Sequence, residues 1–294
     1  MKTLDSHIEM ALDFYCKNVQ AHFQCPVVAY VGQIHPGVQE SFVTAIESIA
    51  NGRTKQDPAF EQPDRLVVVL TTGGGTVETV EKMVEVIRTF FGEVFFIVPT
   101  MAMSAGTIFC MSGDRIYMDY ASSLGPVDPQ VQNPDGYLVP ALGYLDKVNE
   151  LINISTTRKL SDAELIMLQR LDLATLRRYE QARDLSISLL KEWLVQFKFK
   201  DWVTHRTNNP GTPVTPAEKA ERAEQIARDL SDNKHWHSHG RMIGIKTLTS
   251  GLKLEVEDYT NDLTLRENLR AYSGLLTDFL EKRRVPVLIH HQVK

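Results

Sequence analysis

Leu66-Val67-Val68-Val69-Leu70 is an unbroken apolar run that turns through Thr71-Thr72-Gly73-Gly74-Gly75 into a helical pattern of Val77, Val80, Met83, Val84, Ile87 and Phe90. A second run, Val94-Phe95-Phe96-Ile97-Val98, leads into Met101-Ala102-Met103-Ser104-Ala105-Gly106-Thr107 and a short helical pattern ending at Met111. Runs of β-branched and aromatic residues without alternation predict central strands of a parallel sheet, buried on both faces. Strand, glycine turn, helix, strand is a βαβ unit. Both strands end in small residues, and open α/β sheets bind ligands beyond the carboxyl ends of their strands. Gly73-Gly74-Gly75 and Ser104-Ala105-Gly106 are therefore expected side by side at one edge.

The residue types at that edge suit acyl chemistry. Glycines let a backbone approach a ligand closely. Their N–H groups, near the start of a helix, face a developing negative charge favourably. A serine at the start of the next helix has a hydroxyl placed to attack a bound carbonyl. Ala102, Ala105 and Gly106 leave room for substrate. The plainer alternatives are a ligand-binding loop, or a tight turn in which Ser104 only caps a helix.

The order of motifs carries a resemblance. Thr72-Gly73-Gly74-Gly75 before an amphipathic helix is similar to the proline-glycine-glycine turn of the Clp protease and crotonase superfamily, with Gly73 where proline is usual. Ala102 through Thr107 resembles its nucleophile segment, and Asp114-Arg115-Ile116-Tyr117-Met118 the strand after it. Leu124-Gly125-Pro126-Val127-Asp128-Pro129-Gln130 is the most specific piece, and it resembles the serine dehydrogenase proteinases, relatives of signal peptide peptidase A. The match is strong over roughly 64–150 and weaker near 230–255. It implies an α/β, Clp protease/crotonase-like fold with a mostly parallel sheet and a helical elaboration. It also implies a serine peptidase acting on peptides or unfolded protein, assembled as a homo-oligomer; many signal peptide peptidase A relatives are membrane-anchored, and the lack of a membrane-length apolar run makes a soluble protein the expectation here.

Within that resemblance, Ser104 is the expected nucleophile. The amides of Gly75 and Ala105 are the expected oxyanion donors, with Gly74 shaping the turn and Thr72, Met103, Gly125 and Pro126 bordering the substrate. Clp subunits carry a histidine about 25 residues after the serine, and 122–132 contains none. The signal peptide peptidase A pattern uses a lysine instead, in some soluble relatives roughly 40 residues on and on a helix. Lys147 stands at that spacing and is the expected general base, with Asp128 or His239 next in line should it fail. Two other functions fit the same fold: an inactive assembly or scaffold protein, and a crotonase-like acyl-CoA enzyme. The latter needs an acidic pocket residue and a basic adenine-phosphate site, and residues 20–40 offer no basic cluster.

Composition narrows the setting. The 294 residues suffice for one large α/β domain or one and a half ordinary ones. A net charge of −5 leaves no basic footprint for nucleic acid. No apolar run approaches the ~20 residues of a membrane span, and Met1 to His7 lacks a signal-peptide core. Cys16, Cys25 and Cys110 are odd in number and far apart, which suits a reducing cytoplasm better than a disulfide framework.

Around the core, helices are expected over 5–22, through Phe42, Ile46 and Ile49, and over 141–152, 215–230 and 262–282; Val27–Val31 is an expected strand. Residues 51–64 read as a surface loop and Asn133-Pro134-Asp135-Gly136 as a turn. Ser161-Asp162-Ala163-Glu164 is a capping box opening one long helix, or two with a bend, towards Asn209. Apolar residues on several of its faces, Leu173, Leu185, Ile187, Trp193 and Trp202, suggest a partner subunit. The simplest organisation is one catalytic domain over 1–294, with a helical appendage at about 141–230 and a C-terminal helix and arm at about 262–294, Val285–Ile289 forming a strand or the arm. His235, His237 and His239 would share a face if they lay on a strand, but no carboxylate or cysteine stands locally to complete a zinc site. No metal and no cofactor are expected.

Overall fold

The structure is a computed structural model and describes residues 3–55, 64–128, 130–132, 136–205 and 210–292. The chain opens with helix α1 (Thr3–Phe23), strand β1 (Val27–Gly32) and α2 (Gln39–Lys55). The expected βαβ unit follows as β2 (Arg65–Thr71), α3 (Val77–Phe90) and β3 (Glu93–Val98). Next come β4 (Met101–Ala102), α4 (Ala105–Met111), β5 (Arg115–Met118), β6 (Ser123–Leu124), β7 (Gln130–Gln132) and β8 (Leu138–Pro140). The helical elaboration comprises α5 (Ala141–Thr157), α6 (Asp162–Gln169), α7 (Leu173–Trp193), α8 (Pro216–Leu230) and the short α9 (Asn233–Trp236). It is followed by β9 (Glu257–Asp258), α10 (Leu263–Arg283) and β10 (Val287–His291).

The main sheet runs β10-β1-β2-β3-β5-β9, parallel throughout except for β10, which pairs antiparallel with β1. Alternate side chains of each strand serve two cores, which is why the strands read as continuous apolar runs. Val28, Tyr30, Leu66, Val68, Leu70, Val94 and Phe96 face α2, α3, α4 and the end of α7. Val27, Ala29, Val67, Val69, Phe95 and Ile97 face α1 and α10. The α/β class with a mostly parallel sheet is thus borne out, and the expected terminal strand forms as the antiparallel edge strand over Val287–His291, two residues later than Val285–Ile289.

The helical elaboration packs in two places. Its outer part has a small core of its own, Ala141, Leu142, Leu145, Tyr179 and Ala182. Leu189, Leu190 and Trp193 of α7, and Ala223, Ile226 and Leu230 of α8, belong to the core of the sheet. The long segment after Ser161 is two helices: the capping box forms, α6 stops at Gln169, and the Asp172 side chain accepts from Thr175 N to start α7. A capping box at Thr215 and Glu218 opens α8 with Pro216 in its first turn. The 51–64 loop begins later than expected, since α2 continues to Lys55; residues 56–63, and 133–135 of the Asn133–Gly136 turn, lie outside the described residues. No described helix is long and apolar enough to cross a membrane.

Candidate active site

Beyond the carboxyl ends of β1, β2 and β3 the chain adds a second, narrow layer of pairings. Thr72 bridges Ala102, with Thr72 N donating to Met101 O and Met103 N to Thr72 O, both at 3.0 Å. Ala102 pairs in parallel with Leu124, and Leu124 pairs antiparallel with Ile243. On the opposite flank Ile34 bridges Gly75. The glycine turn and the serine segment are therefore side by side, as the sequence implied.

Ser104 sits at this junction, 1% exposed, with φ 51° and ψ −115°. A non-glycine residue at positive φ stores strain on the order of 1–3 kcal/mol and is held there only by its surroundings. Ser104 occupies the capping position of α4, yet its hydroxyl does not cap the helix. Oγ instead donates to the main-chain carbonyl of Asp128 at 2.8 Å. The plain capping reading is thereby removed. The surrounding small-x-Ser-x-Gly pattern, Ala102-Met103-Ser104-Ala105-Gly106, is the sequence signal for such a sharp strand-to-helix turn.

Two glycines of the turn are fixed by contact. Gly74 has φ +104°, and a Cβ there would lie 2.8 Å from Met103 O and 3.0 Å from Ser104 Cβ. It is the wall against which the serine rests. At Gly75, φ +151°, a Cβ would fall 1.8 Å from Ile34 O. Ile34 N donates to Gly74 O and Thr76 N to Ile34 O, at 2.8 and 3.0 Å. In a parallel bridge of this pattern the N–H of Gly75 itself points away from Ile34, towards the β2–β4 side. Among the described residues neither the Gly75 nor the Ala105 amide has an acceptor in the protein.

The expected border residues crowd the same place. Thr72 is 1% exposed and its Oγ1 accepts from Gly74 N at 3.0 Å. Met103 lies against Gly125. Thr107 Oγ1 accepts from Gly125 N at 3.0 Å and lies 2.8 Å from the carbonyls of Ala102 and Gly125, pinning the 125–128 segment over α4. Pro126 is buried with it. These residues form a closed wall around Ser104.

Lys147 is elsewhere. It lies on α5 with its side chain 53% exposed, and Nζ donates to Glu150 Oε1 at 3.0 Å. Among the described residues nothing brings it to Ser104, whose hydroxyl is paired with Asp128 O. The 1%-exposed Asp128 stands where the lysine was expected to act. Its Oδ1 accepts from Leu142 N at 3.0 Å, fixing the first turn of α5. Its Oδ2 has no hydrogen-bond donor among the described residues and lies 3.7 Å from His239 Nδ1. The histidine-rich segment is not a strand. Residues 233–236 are the helical turn α9 and His237 has φ 61°, so the premise of three histidines on one strand face fails.

A family model described as ClpP-like SDH-type serine proteinase matches residues 60–213, which span the glycine turn, Ser104, Asp128 and the helices to the end of α7. An uncharacterized protein of Methanocaldococcus jannaschii, MJ0137, is 37% identical over 76 residues. That stretch is 26% of this chain and 27% of the relative, so the chain spans about a quarter of that protein's length. Two solved structures of 1510-N membrane-bound stomatin-specific protease are similar at low identity. One, a serine-to-alanine mutant, is 14% identical with a TM-score of 0.45, covering 81% of each chain. The other, a lysine-to-alanine mutant in complex with a substrate peptide, is 15% identical with a TM-score of 0.43, covering 79% of this chain and 73% of that one.

Proposed function

Since the chain belongs to the ClpP-like SDH-type serine proteinase family, we propose that it is a peptidase that cleaves unfolded protein or peptide with Ser104 as nucleophile. The observation that carries this is Ser104 itself, strained at φ 51° and bonded to a carbonyl in place of its helix. A serine needed only as a cap has no reason to bear that strain.

In the proposed reaction Ser104 Oγ attacks the scissile carbonyl. The amides of Gly75 and Ala105 receive the oxyanion, each such donor being worth about 3–4 kcal/mol in the transition state. Gly74 keeps the turn close to the serine. Thr72, Met103, Gly125 and Pro126 border the bound peptide, which must loosen the closed wall to enter. For the base, the family resemblance implies Lys147. A lysine base requires burial to disfavour its charged form, and Lys147 as it stands is exposed and bound to Glu150, so that role requires α5 to move. The buried cysteine thiols support a reducing, cytoplasmic setting. We treat residues 1–294 as one catalytic unit, because the elaboration shares the core of the sheet. Assembly with further copies of the chain is part of the same proposal. Hydrolysis of an unfolded protein by the wild type, set against Ser104→Ala, tests this function against a scaffold or acyl-CoA role.

A further inference from the structure

We propose that His239 is the proton acceptor for Ser104 and that Asp128 is the positioning residue that holds it. The inference rests on the peptidase reading and adds to it a base that neither the motif order nor the family resemblance supplies.

Backbone register brings the three residues together. Ala102 and Leu124 are parallel partners, so the segments leading to Ser104 and to Asp128 leave the narrow layer in the same direction. Leu124 and Ile243 are antiparallel partners, joined by Leu124 N to Ile243 O at 3.0 Å and Ile243 N to Leu124 O at 2.8 Å. Asp128 follows Leu124 by the same step by which His239 precedes Ile243. Both segments leave that single bridge as irregular chain, and His239 Nδ1 lies 3.7 Å from Asp128 Oδ2.

The chemistry of the pair is directional. The Asp128 carboxylate is buried, with Oδ1 committed to α5 and Oδ2 turned to the imidazole. A carboxylate beside Nδ1 favours the tautomer with its proton there, which leaves Nε2 as the accepting nitrogen. Asp128 also holds Ser104 Oγ through its own carbonyl. One residue thus binds the nucleophile by its main chain and the imidazole by its side chain. A distance of 3.7 Å is longer than a hydrogen bond, and resting catalytic contacts commonly tighten only with substrate bound.

In the step itself Ser104 Oγ leaves the Asp128 carbonyl and bonds to the substrate carbon. Its proton passes to His239 Nε2, and the carbonyl π pair moves onto oxygen. When the C–N bond breaks, the same proton goes to the departing amine. Water then repeats the sequence on the acyl-enzyme. Besides Asp128, the charged groups on the segments meeting there are Asp229 and Asp232 at the end of α8, with His235, His237 and Arg241 on the histidine's own segment.

The test is the rate of fluorophosphonate labelling at Ser104 from acid to mildly alkaline pH. It compares wild type, His239→Gln and Asp128→Asn, with thermal melting of each to confirm folding. His239→Gln, at a partly exposed site, is expected to lower the rate about 100-fold or more and to remove an ionisation present in the wild-type profile. Asp128→Asn is expected to lower the rate at least about 10-fold and to alter the pH profile, because the neutral amide no longer holds the imidazole in its accepting tautomer. Unchanged rate and profile in folded His239→Gln overturn this inference and leave the peptidase reading standing. Absence of any Ser104 adduct in the wild type overturns that reading, and the inference with it.

Discussion

Ser104 combines a buried hydroxyl, a positive φ and contact with Gly74. An L side chain at that φ and ψ is strained, while glycine is not. Ser104→Ala keeps the strain and loses the bond to Asp128 O; Ser104→Gly loses the bond and the strain together. Ser104→Gly is therefore expected to be about 1 kcal/mol more stable than Ser104→Ala in chemical denaturation. Equal stability of the two would show that the turn is relaxed. The sequence made the serine and its glycine neighbours legible because both sit on short-range patterns, strand end and glycine turn. The Asp128–His239 pair was legible only as two separate candidates. Its geometry depends on Leu124 meeting Ile243, a pairing between distant parts of the chain that no local periodicity encodes. Lys147 shows the converse: a spacing measured along the chain fixes neither the rotation of α5 nor the direction of the side chain.

At the scale of elements, the runs 66–70 and 94–98 became β2 and β3 because nothing but a doubly covered parallel sheet buries both faces of such runs. The break between α6 and α7 was harder to place, since neither glycine nor proline marks it and only the Asp172 cap does. After α7 the chain widens into a π-helical turn over Leu194–Lys198, and the half-buried Lys198 donates through Nζ to the Asp114 main-chain carbonyl at 3.4 Å, with Glu255 and Glu257 as its main opposing charges. Burial pushes its pKa down to about 8, against nearby carboxylates that raise it. The unfolded chain, with an ordinary lysine, binds more protons between about 8 and the usual ~10.4. This group therefore costs stability in full below the lower value, and the cost fades as pH rises towards the upper one. Lys198→Met is expected to stabilise the protein at neutral pH by on the order of 1–3 kcal/mol. The gain over wild type should shrink between pH 8 and 10; a gain that stays constant with pH contradicts the account.

For the whole molecule, the residues that first suggested a partner are mostly absorbed within the chain. Trp193 is buried, and Leu185, Ile187 and Trp202 rest on the main core, while Leu173 is 78% exposed. Apolar side chains also stand in solvent elsewhere, among them Leu165, Ile166 and Met167 of α6, Ile152 of α5, and Met10 and Phe14 of α1. Exposed apolar surface, where contiguous, marks contact sites. Light scattering is expected to return a mass above the 33.3 kDa of one chain at micromolar concentration, and a stable monomer there contradicts assembly. Assembly would restrict access to a site that is already closed in the single chain, so that only unfolded segments reach Ser104. Whatever the assembly, the central claim is that this serine cuts peptide bonds. It is tested most directly by the turnover of an unfolded protein substrate by the wild type and by Ser104→Ala, each verified as folded. The account predicts hydrolysis by the wild type and a loss of about 10³-fold or more in the variant. Hydrolysis that survives the loss of the Ser104 hydroxyl, or a folded wild type that cleaves no peptide, would contradict it.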